Sequence, residues 1–151
     1  MQLTQYTDYA LRTLIALGLN PDGKLTVTDI ASAYGISRNH LVKVVGRLAE
    51  SGYVQTLRGK GGGMRLARAP GDIRIGALVR DMEAELGVVE CLTEEGGHCV
   101  IAQVCRLKGL LREATDAFLG SLDEHSLEDI LRQPQPVARL LHIPIRVERR
   151  A

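Results

Sequence analysis

Two short helical patterns joined by a tight turn constrain the fold of this chain most. The first helix is predicted over residues 29–34 with Thr28 as its cap, and Gly35 makes the turn. The second is predicted over residues 38–50 with Ser37 as its cap. Its apolar face consists of Leu41, Val44, Val45 and Leu48. Two helices connected in this way form a helix-turn-helix unit.

A glycine-rich hairpin follows this unit directly. Residues 53–57 and 64–68 read as two strands, and residues 58–63, Arg-Gly-Lys-Gly-Gly-Gly, form a flexible tip between them. A hairpin in this position is the wing of a winged helix-turn-helix domain. We therefore predict such a DNA-binding domain over residues 1–75.

Apolar residues at helical spacing predict three longer helices elsewhere in the chain. The first spans residues 8–19 and begins at Thr7 or Asp8, the second runs from residue 76 to about 86, and the third spans about 103–121. The predicted fold class is therefore mainly α with a small β-wing.

The third of these helices is predicted to form a dimer. Its apolar stripe runs for about five turns and consists of Leu107, Leu110, Leu111, Ala114, Phe118 and Leu122. A small domain cannot easily cover such a stripe, so packing against the same helix of a second chain is favoured over packing within its own domain. We assign residues 76–106 to a linker helix and cysteine-rich loop, 107–133 to the dimerisation region, and 134–151 to a loosely held, proline-containing C-terminal tail.

The charge of the chain is unevenly distributed. Residues 1–75 contain ten Lys and Arg against five Asp and Glu, whereas residues 76–151 contain nine against thirteen. A basic region of this kind is typical of a protein that binds a polyanion. The scarcity of aromatic residues, with no Trp and one Phe, disfavours a base-stacking platform or an aromatic-lined pocket.

Polar residues at the start of the second helix are suited to reading base edges in the major groove of double-stranded DNA. The predicted DNA contacts are Thr28, Ser37, Arg38, Asn39, His40, Lys43, Arg47, Arg58, Lys60 and Gly61. In this set Lys43 and Arg47 are better placed for phosphates, and the wing glycines allow close backbone approach. Arg65 and Arg68 are expected to add phosphate attraction.

All three cysteines of the chain, Cys91, Cys99 and Cys105, lie within fifteen residues. Without a visible signal peptide or an apolar run long enough to cross a membrane, we expect a cytoplasmic protein with reduced thiols. Clustered soft thiolates then favour an iron–sulfur cluster, which usually needs four ligands. Cys105 is predicted at a helix start, where the helix dipole stabilises a thiolate.

Two other interpretations of the cysteines remain open at this point. Zinc could be bound with His98 as a fourth ligand, although no C-x₂₋₄-C pair is present. Inert buried cysteines are the other alternative, but Glu94, Glu95 and His98 make the loop polar. No catalytic constellation is evident, so we expect no enzyme.

The chain resembles the nitric-oxide-sensitive repressor (NsrR) branch of the winged-helix family that also contains the iron–sulfur regulator IscR. Ser-Arg-Asn-His-Leu-Val-Lys at residues 37–43 and Val-Glu-Cys at residues 89–91 are two of the motifs that carry the resemblance. The others lie at residues 1–4, 7–12, 52–54, 58–63, 73–76 and 105–108.

The resemblance implies a homodimer with one cluster per subunit, bound by Cys91, Cys99 and Cys105 and completed by Asp8 from the partner subunit. A carboxylate is a hard ligand in a soft sulfide cluster and hence labile. IscR-like proteins use a His three residues after the last cysteine, where this chain has Lys108. The loop between Cys91 and Cys99 is longer than expected for this branch, and its extra glycines are expected to bulge outward. A [4Fe-4S] cluster is favoured, and the loop length leaves a [2Fe-2S] cluster possible.

The implied function is that of a repressor that binds a pseudo-palindromic operator as a dimer and releases it when nitric oxide reacts with the cluster, controlling nitrosative-stress genes. Alternatives are a redox-sensing regulator of cluster biogenesis, a zinc-stabilised winged-helix regulator and, outside regulation, a small iron–sulfur redox protein. No membrane partner is expected.

Overall fold

A computed structural model describes residues 2–21, 24–57, 59, 61–93 and 96–144. It confirms a mainly helical fold with one small antiparallel sheet. The helices are α1 (Gln5–Leu19), α2 (Val27–Tyr34), α3 (Arg38–Glu50), α4 (Ile75–Met82), α5 (Arg106–Asp123), α6 (Leu127–Ile130) and α7 (Pro134–Leu141). The strands are β1 (Val54–Leu57) and β2 (Gly63–Leu66). No helix in these described ranges is both long and apolar enough to cross a membrane.

Helix α1 is the centre of the core. Its buried residues are Thr7, Ala10, Thr13, Leu14, Ala16, Leu17 and Leu19. The helix begins three residues earlier than predicted, because the side chain of Thr4 accepts a hydrogen bond from the backbone N–H of Thr7. Thr4 is therefore the cap instead of Thr7 or Asp8, and Asp8 lies inside the first turn.

The two helices of the helix-turn-helix unit, α2 and α3, are both present, but α2 begins two residues earlier than predicted. Helix α2 is capped by Thr26 and not by Thr28, because Thr26 and Asp29 satisfy each other's backbone N–H groups in a capping box. Gly35 ends α2 with a left-handed φ of 64°. Helix α3 begins after Ser37 and buries the four apolar residues expected.

The wing is an antiparallel hairpin of β1 and β2 whose register pairs Val54 with Leu66. Met64 on β2 also pairs with Leu25, so the chain before α2 adds a single bridge to the sheet. Val54, Met64 and Leu25 are all buried, which attaches the wing to the core through one apolar face. Arg58 and Lys60 lie outside the described residues.

The two helices on either side of the cysteine segment are shifted from their predictions. Helix α4 ends at Met82 and not near residue 86, because Glu83 adopts an extended backbone. Helix α5 begins at Arg106, with Cys105 at its N-cap position. Residues 101–104 form turns, so the predicted start at residue 103 is wrong.

The C-terminal region is more ordered than predicted. The expected loose tail over residues 134–151 contains α7 through Leu141, and Ala138 and Ile143 are buried in the main core. Pro134 lies in the first turn of α7, where the missing N–H costs no helical hydrogen bond. The prolines therefore start a helix here, and α6 and α7 pack against α1. Residues 145–151 lie outside the described part.

Candidate DNA-binding surface and metal centre

The start of α3 presents a row of polar side chains to solvent. Ser37, Arg38, Asn39 and His40 are all exposed. The Ser37 hydroxyl makes no capping hydrogen bond to the helix, although Ser37 occupies the N-cap position. All four side chains are thus accessible where a recognition helix contacts base edges.

The predicted phosphate contacts lie one and two turns further along the same helix. Lys43 and Arg47 are exposed, and Thr28 is exposed on α2. The backbone carbonyl of Lys43 accepts a hydrogen bond of 3.0 Å from the hydroxyl of Tyr6. The side chain of Lys43 is exposed to solvent, whereas its backbone is held by this contact with α1.

The wing tip contains one contact that the sequence did not indicate. Lys24 donates from Nζ to the carbonyl oxygen of Gly61 at 3.2 Å. Gly61 is exposed and has a φ of 78°, a conformation that favours glycine. Lys24 is 37 residues away in sequence, so no local pattern could have placed it at the tip. It adds a positive charge to this end of the wing.

Two arginines of the wing are used structurally as well. Arg65 donates to Gln55 across the hairpin at 2.9 Å. Arg68 lies over the ring of Tyr53, 4.6 Å from its centroid, and donates to the carbonyl of Ser51 at 2.8 Å. Both side chains remain exposed, but their positions are set by these contacts as well as by their charge.

Tyr53 also connects the wing to α4. Its hydroxyl donates to the carboxylate of Asp81. Burial, followed by this hydrogen bond to an anion, raises the pKa of Tyr53 to about 12. The neutral phenol is therefore the form that the fold stabilises.

The three cysteines lie on the segment between α4 and α5. Cys91 is in a short 3₁₀ turn, Glu90–Leu92, and Cys105 precedes α5 directly. All three are free, half-buried thiols. Their chemistry suits a soft metal centre, because thiolates are the ligands of iron–sulfur clusters and of structural zinc.

Glycines fold this segment back on itself. A Cβ at Gly97 would lie 2.9 Å from Glu90, and one at Gly87 would lie 2.9 Å from the backbone of Leu92. The chain therefore passes close to both neighbours of Cys91. The prediction that the extra glycines bulge outward is wrong for Gly97, although Gly96 faces open space.

One chain alone does not assemble the predicted ligand set. Among the described residues, no three His, Cys, Asp or Glu side chains lie close enough together to hold a metal ion. The carboxylate of Asp8 is held instead by Arg12, with contacts of 3.0 and 2.7 Å. His98 is exposed on the same segment as the cysteines. The residue types thus fit a cluster, but within one chain they do not lie close enough together to bind it.

The same region exposes an unusual amount of apolar surface. Val100 is 98% exposed and Val104 is 83% exposed, next to Ile101, Leu107 and Leu110. Helix α5 buries only Leu119 among its eighteen residues. An exposed cluster of this kind is typical of an interaction surface.

A helix-turn-helix with an exposed polar recognition helix and a wing defines a winged-helix DNA-binding regulator. The sequence profile of the Rrf2 family, described as an iron-dependent transcriptional regulator, matches residues 3–133, and the chain belongs to this family. It is therefore a transcriptional regulator and not an enzyme, as predicted.

Individual relatives agree with this assignment. The chain is 48% identical to the HTH-type transcriptional regulator NsrR of Geobacillus kaustophilus and 46% identical to that of Bacillus subtilis, each over 93% of this chain and 97% of the relative. These relatives confirm the resemblance to NsrR-like members of the family.

Solved structures confirm the winged-helix fold. IscR of T. potens superposes with a TM-score of 0.72 over 91% of this chain and 90% of its own, at 22% identity. CymR, the global cysteine regulator of B. subtilis, superposes with a TM-score of 0.69 over 86% of this chain and 95% of its own, at 27% identity.

Proposed function

We propose that this protein is a transcriptional repressor that senses nitric oxide through an iron–sulfur cluster and releases its operator in response. The observation that carries the proposal is the segment with three free, half-buried cysteines, which lies in a chain 48% identical to a regulator named NsrR. The favoured cofactor is a [4Fe-4S] cluster, with [2Fe-2S] as the alternative.

The cluster would be held by Cys91, Cys99 and Cys105 of one subunit and by Asp8 of a second copy of this chain. Three thiolates leave one ligand position of a four-iron cluster to be filled. A carboxylate has lone pairs to spare, so Asp8 can keep its contact with Arg12 while it serves as a ligand. When bound, the cluster would supply iron that reacts with nitric oxide.

The uncovered apolar surface supports a homodimer. The stripe of α5, from Leu107 to Phe118, continues from the exposed valines Val100 and Val104 of the cysteine segment. In the proposed dimer, the second copy that covers this surface also places its Asp8 beside the cysteines. Dimer formation and completion of the ligand set are then the same event.

The DNA-binding step relies on the two recognition helices of the dimer. Arg38 and Asn39 are proposed to contact base edges, with Ser37 and His40 beside them. Lys43, Arg47 and Thr28, together with Arg58, Lys60 and Gly61 of the wing, are proposed to contact the phosphate backbone. Two such helices about one DNA turn apart fit a pseudo-palindromic operator. Loss of the Asp8 connection between subunits would change their spacing and lower affinity.

The proposal is tested by following an anaerobic absorption spectrum through a nitric oxide titration while DNA binding is measured in parallel. We expect a coloured protein that contains iron and sulfide and loses DNA affinity as its absorption changes. Cys99→Ala should lose the colour and the nitric oxide response, whereas Gln103→Ala in the same segment should keep both. A colourless protein with stoichiometric zinc, or a Cys99→Ala variant that still responds, contradicts the proposal.

The DNA contacts are tested separately by the salt dependence of binding. Lys43→Ala should reduce the slope of log affinity against log salt by about one and weaken binding to all sequences alike. Asn39→Ala should instead relax sequence preference, with little effect on the slope. An unchanged slope for Lys43→Ala removes this residue from the phosphate contacts.

A further inference from the structure

The first turn of α1 connects the cysteine segment to the recognition helix α3. Glu83 is the first residue after α4 and begins the segment that leads to Cys91. Its carboxylate oxygen Oε1 accepts hydrogen bonds from the backbone N–H of Thr4 at 2.8 Å and from its hydroxyl at 3.2 Å. The start of the cysteine segment thus holds the residue that caps α1.

The same turn of α1 also contacts α3. Two residues after Thr4, the hydroxyl of Tyr6 donates to the backbone carbonyl of Lys43 at 3.0 Å. Lys43 follows the exposed recognition residues by one turn, so Tyr6 holds the backbone of α3 beside its DNA-reading end. A displacement of Glu83 would therefore reach α3 through two hydrogen-bonded contacts and two residues of α1.

The start of this turn lies at the surface, whereas Thr7 in the same turn is fully buried. Thr4 and Gln5 are exposed and Tyr6 is half-buried, whereas the rest of α1 contains most of the buried residues of the helix. A second contact holds the other end of this junction in place, since Asp81 on α4 accepts a hydrogen bond from Tyr53. Asp81 lies two residues before Glu83, so the end of α4 is attached to Tyr53 while Glu83 contacts the start of α1.

We propose that Glu83 and Tyr6 are positioning residues that transmit the state of the cysteine segment to α3 within one subunit. This inference depends on the proposed function, because it assumes that the cysteine segment changes when nitric oxide reacts. It is distinct from the connection through Asp8, which runs between subunits. Coupling of this kind can be measured as the ratio of the DNA affinities of the two states of the cysteine segment.

The experiment measures the ratio of the dissociation constants after and before nitric oxide treatment. The probe is a fluorescent duplex that the wild-type protein itself selects from a randomised pool. For the wild type we expect a ratio on the order of 5- to 150-fold. Tyr6→Phe removes one hydrogen bond and should reduce this ratio by about fivefold. Glu83→Ala removes two and should reduce it by at least about as much.

Two control variants lie beside the tested residues. Glu85→Ala removes an exposed carboxylate two residues from Glu83. Tyr9→Phe removes a hydroxyl on the same helix that makes no hydrogen bond within the described part of the chain. Both should keep the wild-type ratio. A merely structural role for Glu83 would weaken binding in both states and leave the ratio unchanged.

Hydrogen exchange of the wild type gives a second readout that needs no variant. On nitric oxide treatment, the amides of residues 2–8 and 38–50 should change together with those of residues 83–93. Change confined to residues 83–93, or unaltered ratios in both Glu83→Ala and Tyr6→Phe while the wild type responds, overturns this inference alone. A wild type that shows no response overturns the proposed function and this inference with it.

Discussion

Helices α1 and α5 are similar in length but differ sharply in how much of their apolar surface the chain covers. Helix α1 buries seven of its fifteen residues, whereas α5 buries one of eighteen. Both have apolar residues at helical spacing, so the difference lies in what packs against them. Helix α1 is enclosed by α3, α4, the wing and the C-terminal helices, while α5 is contacted mainly by α4.

The same difference is visible where the two helices begin. The first turn of α1 is closed by the Thr4 side chain, whereas Cys105 makes no side-chain capping hydrogen bond to α5. The lesson is that the winged-helix domain is complete within one chain. The region from Cys91 to α5 instead leaves most of its apolar residues exposed, and we propose that it binds a second subunit and a cluster.

The largest effect should come from a cavity in the enclosed region. Leu41→Ala on α3 should lower the free energy of unfolding by about 2–5 kcal/mol, because Leu41 is fully buried. Val42→Ala, at the exposed neighbouring position, should change it by less than about 0.5 kcal/mol. Urea denaturation measures both. Equal losses for the two variants would mean that α3 is not packed as described.

The second prediction concerns the strength of the proposed dimer. Leu110 is 61% exposed on α5, and covering it in a symmetric dimer would stabilise the dimer by about 3 kcal/mol from the two copies together. Leu110→Gln should therefore weaken the dimer on the order of a hundredfold, as measured by sedimentation equilibrium. Arg112→Gln, on another face of the helix, is the control. A Leu110→Gln dimer of wild-type strength would refute the role of this stripe.

The third prediction concerns alkaline pH and the junction of the wing with α4. The pKa of Tyr53 is raised to about 12 by its burial and by Asp81, so the folded state favours the neutral phenol. Below pH 10 this contribution to stability is complete, and it is lost as the pH rises from about 10 to 12. The free energy of unfolding of the wild type should fall more steeply over this range than that of Tyr53→Phe. Parallel curves would show that Tyr53 ionises as easily in the folded protein as in the unfolded chain.

The smallest effect distinguishes a structural cap from a proposed DNA contact. Thr26→Ala should reduce the free energy of unfolding by about 1 kcal/mol, because it removes one half of the capping box with Asp29. Ser37→Ala should have almost no effect on stability, because the Ser37 hydroxyl makes no capping bond, and should weaken DNA binding instead. Thermal unfolding and DNA titration of both variants separate the two roles. A larger stability loss for Ser37→Ala would reverse the assignment.

Sequence reasoning predicted the helix-turn-helix well because its signals are local. The turn at Gly35 and the apolar positions of α3 depend on residues within one or two turns of each other. The caps were less accurate, since several Thr residues precede α1 and α2 and only the observed hydrogen bonds distinguish Thr4 and Thr26 from Thr7 and Thr28. The prediction of a loose C-terminal tail was wrong, because a proline is compatible both with an irregular segment and with the first turn of a helix.

The candidate site was predicted only as a set of residue types. The spacing of the cysteines indicated metal chemistry, and the polar start of α3 indicated DNA contact. The placement of Lys24 at the wing tip could not be predicted, because Lys24 and Gly61 are 37 positions apart in sequence. The ion pair between Asp8 and Arg12 joins residues four positions apart on one helix, so helical spacing could have indicated it.

The sequence by itself determined the winged-helix class, the polar recognition helix and the cluster of three thiols, because periodicity, capping residues and ligand type are local properties. Only the tertiary structure decided that Glu83 holds Thr4 and that Tyr6 holds Lys43, contacts that join residues 79 and 37 positions apart. It also decided that α7 returns to the core while the stripe of α5 stays uncovered. Contacts between distant residues depend on how whole helices and strands pack together. That packing must bury the apolar faces of all the elements at once, so the pattern of a single element does not specify it.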